Sequence, residues 1–190
     1  MSEIDVVRGA LNEAAELHRR VSDGQAAAIV EAAGVMREAI GAGHHVYVFG
    51  NGGSATDAEH FAAELVGRFA RERRGLPVTA LTADTAVLTA VANDYGFEHV
   101  FARQIEAVGK RGDVAMGITT SGVSPNVNRA LRRAREVGLR TIGLTGRDGG
   151  ETAGLVDVHV NVPGTTSAQV QEVQRTVLHV MCELIERAHA

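Results

Sequence analysis

Residues 49–65 read FGNGGSATDAEHFAAEL, a glycine-rich turn that opens straight into a helix-forming run. Asp57, His60 and Glu64 fall at i, i+3 and i+7, which places all three on one side of a helix. His and Glu four residues apart can hold one divalent ion together, and zinc accepts both imidazole nitrogen and carboxylate oxygen. The same spacing also suits an ordinary solvated face, with Glu64 paired to Arg68, and spacing alone leaves the two readings open.

A second stretch, TTSGVS at 119–124, sets four hydroxyls and a glycine between a strand and a helix. Hydroxyl donors and free backbone N–H groups at a helix N-terminus suit a phosphate dianion, which the helix dipole attracts further. Ser124 before Pro125 is good capping chemistry, but a cap accounts for one hydroxyl, not four. GNGGS at 50–54 is neither the GxGxxG dinucleotide pattern nor a nucleotide P-loop, so a nicotinamide or nucleoside triphosphate cofactor finds no support. Paired with the hydroxyl loop, it reads as a second wall of one anion site.

The final helix-forming run carries Gln171 and His179 among apolar residues. Eight residues separate them, about 12 Å of helix rise, so both reach one ion only if it lies beside the helix between them. On spacing, His179 with Glu183 is the easier chelate, and a core role for His179 stays open. His44 and His45 precede the first strand, His159 lies mid-strand, and His18 and His189 sit near the chain ends. His99, after NDYGFEH, is the one of these that could approach the site. Lys110 is the sole lysine and sits in a GKRGD turn, which argues against Schiff-base chemistry.

These residues need a frame. Apolar spacing predicts two helices near 3–22 and 23–42, punctuated by Asp23 and Gly24. Short apolar strands then alternate with helices: strands at 45–49, 78–82, 113–119, 140–146 and 157–162, helices near 54–71, 85–92, 98–109, 124–138 and 167–188. The alternation predicts a three-layer α/β sandwich around a five-stranded parallel sheet, joined by right-handed crossovers. No linker or repeat interrupts it, so 1–190 reads as a single domain, with N-terminal helices at 1–43 and a core at 44–190 that ends in a long helix. Ligands of such sheets sit beyond the carboxyl ends of the strands, where both loops fall.

At 45% hydrophobic and 22% charged, the composition is that of a globular chain with one sizeable core. No run of eighteen apolar residues and no secretory signal is visible. The lone cysteine, Cys182, permits no intrachain disulfide, which together with the missing signal suggests the cytoplasm. A net charge of -4 without a basic block argues against a nucleic-acid surface.

Taken in order, GNGGSATDAEHFAAELVGR, LTAVANDYGFEHVFARQIEAVGKRGDV, GITTSGVSPNV, LTGRDGG and QVQEVQRTVLHVMCELIE resemble the sugar isomerase (SIS) domain family across essentially the whole chain. The resemblance is nearest to members that isomerise a seven-carbon ketose phosphate. It implies conversion of sedoheptulose 7-phosphate into D-glycero-D-manno-heptose 7-phosphate through an enediol, the first step toward nucleotide-activated heptose. It also implies a cytoplasmic homotetramer with active sites near subunit contacts and one zinc ion per subunit, held by His60, Glu64, Gln171 and His179. Glu64 and His179 are the implied catalytic residues. Thr119, Thr120, Ser121 and Ser124 would hold the phosphate. Asn51, Gly52, Gly53, Ser54, Asp57, Asn93 and Asp94, with Glu64 and Gln171, would surround the sugar. The chain departs from the family at Thr119, which keeps the hydroxyl, and at Ala168-Gln169 and Gln174, whose side chains would alter contacts around the sugar. Two alternatives stand beside this reading: a non-catalytic member, either a scaffold that binds a replication initiator or a phosphosugar sensor, and an isomerase of another ketose phosphate.

Overall fold

The computed structural model describes residues 1–189. Five parallel strands form its centre: β1 (Val46–Gly50), β2 (Val78–Ala80), β3 (Val114–Thr119), β4 (Arg140–Gly146) and β5 (Val158–Val162), in the order β2-β1-β3-β4-β5. Six helices surround them: α1 (Glu3–Gly41), α2 (Gly53–Val66), α3 (Thr85–Tyr95), α4 (Val100–Val108), α5 (Pro125–Val137) and α6 (Ser167–Glu186). A 3₁₀ turn at Phe97–His99 leads into α4, and another, Glu151–Gly154, follows β4. The expected three-layer sandwich is therefore the observed one.

The period of two along each strand builds two cores. Val46, Val48, Met116, Ile118, Ile142 and Leu144 face α1, α2 and α6, while Tyr47, Phe49 and Ala115 face α4 and α5. The central strands are buried on both faces, which is why they read as unbroken apolar runs. On the α5 face the side-chain row passes through Gly117 and Gly143, which pair across β3 and β4. A Cβ on Gly117 would meet Val127 and Leu131 of α5 at 2.7 and 3.0 Å, so the glycine lets that helix sink onto the sheet.

Element ends differ from expectation in three places. The helix expected over 54–71 stops at Val66, so Arg68 lies past its end, exposed and away from Glu64. The strand expected over 78–82 keeps three residues at the sheet edge. The third difference is larger: the two expected N-terminal helices are one. α1 runs 39 residues without a break, about 58 Å at 1.5 Å per residue. Its capping box at Ser2 and Asp5 fixes the start. Asp23 and Gly24 do not break it, because Val21 and Ile29 are buried on either side and Gln25 accepts the Asn161 N–H of β5 at 2.9 Å. Tertiary packing outweighs the weak helix propensity of one glycine.

A Cβ at Gly24 meets nothing within 4 Å. Gly24→Ala should therefore stabilise the protein by about 0.5–1 kcal/mol, seen as a raised denaturation midpoint. A lowered midpoint would show that the helix is broken there after all.

Candidate active site

β1 ends at Gly50, and the chain turns through Asn51 and Gly52 into α2. Gly52 has φ +56°, a left-handed conformation that favours glycine. Gly53, the first residue of α2, has the Gln171 amide of α6 pressed against it, leaving no room for a side chain. Asn51 and Asn126 exchange two amide hydrogen bonds of 2.8 Å each, tying the β1 loop to the first turn of α5. Ser54 is buried in the first turn of α2.

The hydroxyl loop lies alongside, at the carboxyl end of β3. The Thr119 and Ser124 hydroxyls are 3.0 Å apart, Gly122 N–H donates to Thr119 Oγ1, and Ser121 Oγ accepts from Val123 N–H. Ser124 occupies the N-cap of α5, yet its side chain makes no capping hydrogen bond. Capping alone therefore does not explain this serine; in the first turn of α5, Val127 N–H is met by Asn126 Oδ1 at 3.0 Å and Asn128 N–H by Ser124 O at 3.0 Å. Thr120 donates to Ser167 at 3.2 Å, bringing in the N-terminus of α6. The loop is braced from behind. Gly122 (φ +70°) presents its carbonyl to Thr152 N–H and Oγ1, and buried Asn128 links Thr152 to Glu151. A cavity of about 630 Å³ opens beside Asn51, Ser124 and Asn126, bordered by Phe97, Glu98 and Arg129. That is an ordinary volume for a small-molecule site.

From this mouth α2 and α6 run inward, parallel and in contact. Asp57, wholly buried, accepts from Gln171 Nε2 at 3.1 Å and from the Arg175 guanidinium. One turn on, His60 Nε2 and His179 Nε2 are 2.9 Å apart, one ring donating and the other accepting, and Glu64 Oε1 is 3.5 Å from His60 Nε2. The Phe69 ring lies 5.8 Å from that of His179. The structure thus brings Glu64, His60 and His179 together in a separate cluster from Asn51, Ser54 and the 119–124 loop. The seam joins the two through Gly53, Asp57 and Gln171. It does not bring in Asn93 and Asp94, which are exposed and bonded only to each other. His99 borders a neighbouring cavity with Arg103 and Arg129.

The expected zinc centre is overturned. Among the described residues, no group of three or more His, Cys, Asp or Glu side chains is placed to hold a metal ion. Two imidazoles on one tetrahedral zinc keep their nitrogens roughly 3.3 Å apart, with the ion between them. Here the 2.9 Å contact is a direct hydrogen bond. Gln171, the expected fourth ligand, is engaged by Asp57 about two turns away. Glu183 pairs with Arg71 and Arg187, so the His179–Glu183 chelate does not form either.

Other polar residues prove to be structural. Gln169 completes a capping box with Thr166, and Gln174 is buried with its amide donating to Leu144 O at 3.3 Å. Burial pushes the Cys182 thiol up to about 12, which leaves it inert. Burial lowers His159, which bonds Thr145 within the sheet. Sequence reading missed Asn126, Thr152, Arg175 and Glu186. Of these only Arg175 carried a signal, four residues from both Gln171 and His179 on one stripe of α6.

Glu186 is wholly buried, which by itself raises a carboxyl. The N–H groups of Ala70, Arg71 and Phe69, with Arg73, outweigh that and hold it below the usual range. Its folded value thus lies under its unfolded one. The stability it contributes is complete above the unfolded value and is lost as pH falls through the folded one. The stability gap between wild type and Glu186→Gln should therefore close as pH falls below about 4.5 in denaturant titrations. Gly122→Ala would force a Cβ onto the Gly149 carbonyl at positive φ. About 1–3 kcal/mol of stability should be lost, with weaker binding of inorganic phosphate by calorimetry.

The SIS domain family matches residues 11–146. A phosphoheptose isomerase from Geotalea daltonii is 56% identical over 161 residues, covering 85% of this chain and 82% of that protein. One from Geotalea uraniireducens is 50% identical over 184 residues, covering 97% of both. The solved structure of a phosphoheptose isomerase from Neisseria gonorrhoeae superposes with a TM-score of 0.93 at 40% identity, covering 98% of this chain and 100% of that one. A hydroxyl-rich loop at the carboxyl end of β3, a Glu–His–His cluster between α2 and α6, and likeness over nearly the full length accompany one another: the chain belongs to the SIS domain family and, within it, to the phosphoheptose isomerases.

Proposed function

We propose that the chain is a ketose–aldose isomerase that converts sedoheptulose 7-phosphate into D-glycero-D-manno-heptose 7-phosphate. The observation that carries this is the placing of Glu64, on the helix that the glycine-rich turn begins, beside the hydrogen-bonded pair His60 and His179. The reaction moves a proton from C1 to C2. A base removes the C1 proton, the electron pair forms the C1–C2 double bond, and the C2 oxygen takes up a proton to give the enediol. The O1 proton is then lost and C2 is reprotonated, giving the aldose.

Glu64 is the base that carries the carbon proton. His179, hydrogen-bonded to His60, moves protons at O1 and O2. Thr119, Thr120, Ser121 and Ser124 hold the phosphate at the N-terminus of α5. Binding energy gained there fixes the reacting carbons in place. Asn51 and Ser54 meet sugar hydroxyls directly. Asp57 orients Gln171 toward the mouth, since its own oxygens are engaged by Gln171 and Arg175.

The active protein is a homotetramer with its sites near subunit contacts. Ile4, Val7 and Leu11 form an uncovered apolar stripe on the first turns of α1. An apolar groove of about 470 Å³ between α1 and α6, lined by Val21, Ile29, Val177 and Leu184, continues it. Both suit a second copy of the chain.

In an anomeric-proton NMR assay with sedoheptulose 7-phosphate, Glu64→Gln should lower kcat by about 10²–10⁴ while KM stays within a few-fold. Near wild-type turnover would remove Glu64 from the mechanism. No aldose signal from wild type would overturn the substrate.

A further inference from the structure

Glu186 has no part in the chemistry above and no access to a substrate: it is wholly buried in the last turn of α6. A buried carboxylate must have its oxygens satisfied, and this one gathers its partners from a single segment. Oε1 accepts the Phe69 N–H at 3.0 Å, and Oε2 accepts those of Ala70 and Arg71 at 2.8 Å each. Three successive N–H groups turned toward one anion form a backbone nest. Arg73, also buried, places its Nε 3.4 Å from Oε1. The other guanidinium nitrogens donate to Glu64 O at 2.9 Å and Gly67 O at 2.7 Å, carbonyls that the end of α2 leaves without helical partners.

Two consequences reach the acid–base cluster. Phe69, whose N–H is held by Glu186, lays its ring against that of His179, tilted by 36°. The torsion that turns an imidazole about its stem is broad, so a packed neighbour rather than intrinsic preference fixes which way Nε2 points. Arg73, paired with Glu186, grips the backbone of Glu64. We infer that Glu186 is a positioning residue for the reaction. By folding residues 67–73 around its carboxylate it sets the His179 ring, through Phe69, and the last turn of α2, through Arg73, in register with His60. The inference rests on the isomerase reading.

The test compares Glu186→Gln with two substitutions at Phe69, which touch none of the Glu186 hydrogen bonds because those use the backbone N–H. In Glu186→Gln an amide N–H₂ faces backbone donors, and the nest opens. The expected result is a kcat about tenfold to a hundredfold lower, with KM changed by less than about twofold. Phe69→Leu should show the same split and Phe69→Tyr, which keeps the ring, should restore turnover. The double variant Glu186→Gln/Phe69→Leu should be little slower than Glu186→Gln alone, since the Phe69 contact is one of the two routes through which Glu186 acts.

A second readout needs no turnover. The His179 ring-proton resonances, assigned by their loss in His179→Gln, carry the ring-current shift of Phe69. They should move in Glu186→Gln and Phe69→Leu and stay in Phe69→Tyr. A folded Glu186→Gln protein with wild-type kcat, or unmoved His179 resonances, overturns the inference. If Glu186→Gln does not fold, the Phe69 pair decides. A wild-type protein that converts no sedoheptulose 7-phosphate removes the isomerase reading, and the resonances still decide whether Glu186 sets the ring.

Discussion

Asp57 is a carboxylate with no exposure, and a charge so placed is tolerable only with its partners in place. Those partners, Gln171 and Arg175, both come from α6. Losing one partner of such a buried group typically costs about 3–5 kcal/mol, so this contact dictates how α2 and α6 lie against each other. The register that it sets runs the length of the seam, from Gln171 on Gly53, through His179 on His60, to Glu186 on the segment after α2. Because α2 begins at the end of β1 and α6 begins beyond β5, the same register ties the acid–base groups to the loops at the carboxyl edge of the sheet.

Small residues do comparable work on the opposite face. Gly117 and Gly143 lie side by side in the sheet; α5 settles over Gly117, while Thr152 and Val156 cover Gly143. That depth brings Ser124 within reach of Thr119 and lets Asn126 pair with Asn51. The first turn of α5 is thus held by the sheet beneath it, by the β1 loop on one side and by Thr152 and Gly122 on the other. On the proposed reading, in which this loop holds the substrate's phosphate, such ordering beforehand means that less freedom is lost on binding.

The layers, the five parallel strands and the positions of the glycine-rich and hydroxyl-rich loops were legible because each rests on local pattern: period two, period 3.6, and turn residues at strand ends. The His60–Glu64 face was legible as a cluster for the same reason. The rest depends on pairs distant in sequence. Asn51 and Asn126 are 75 residues apart, and Glu186 lies 117 beyond Phe69. No periodicity announces such pairs. The zinc expectation failed at this level, since donor types and order fit an ion while the side chains satisfy one another directly. The single N-terminal helix was missed because Asp23-Gly24 is a good local stop signal, overridden by β5 and α6 packing beneath it.

That helix has a further consequence. Its buried residues begin only at Leu17 and continue to Ile40, and the first tertiary hydrogen bond is that of Glu13 to Gln169, so the first three turns rest on little besides their cap. An unsupported stretch of that length is marginal in water. Along one continuous element the free energy of local opening therefore rises from near zero at Ser2 to that of the whole fold around Met36. Amide hydrogen exchange along α1 should be graded accordingly, and a second copy of the chain covering the exposed Ile4, Val7 and Leu11 would be read out as protection that depends on protein concentration.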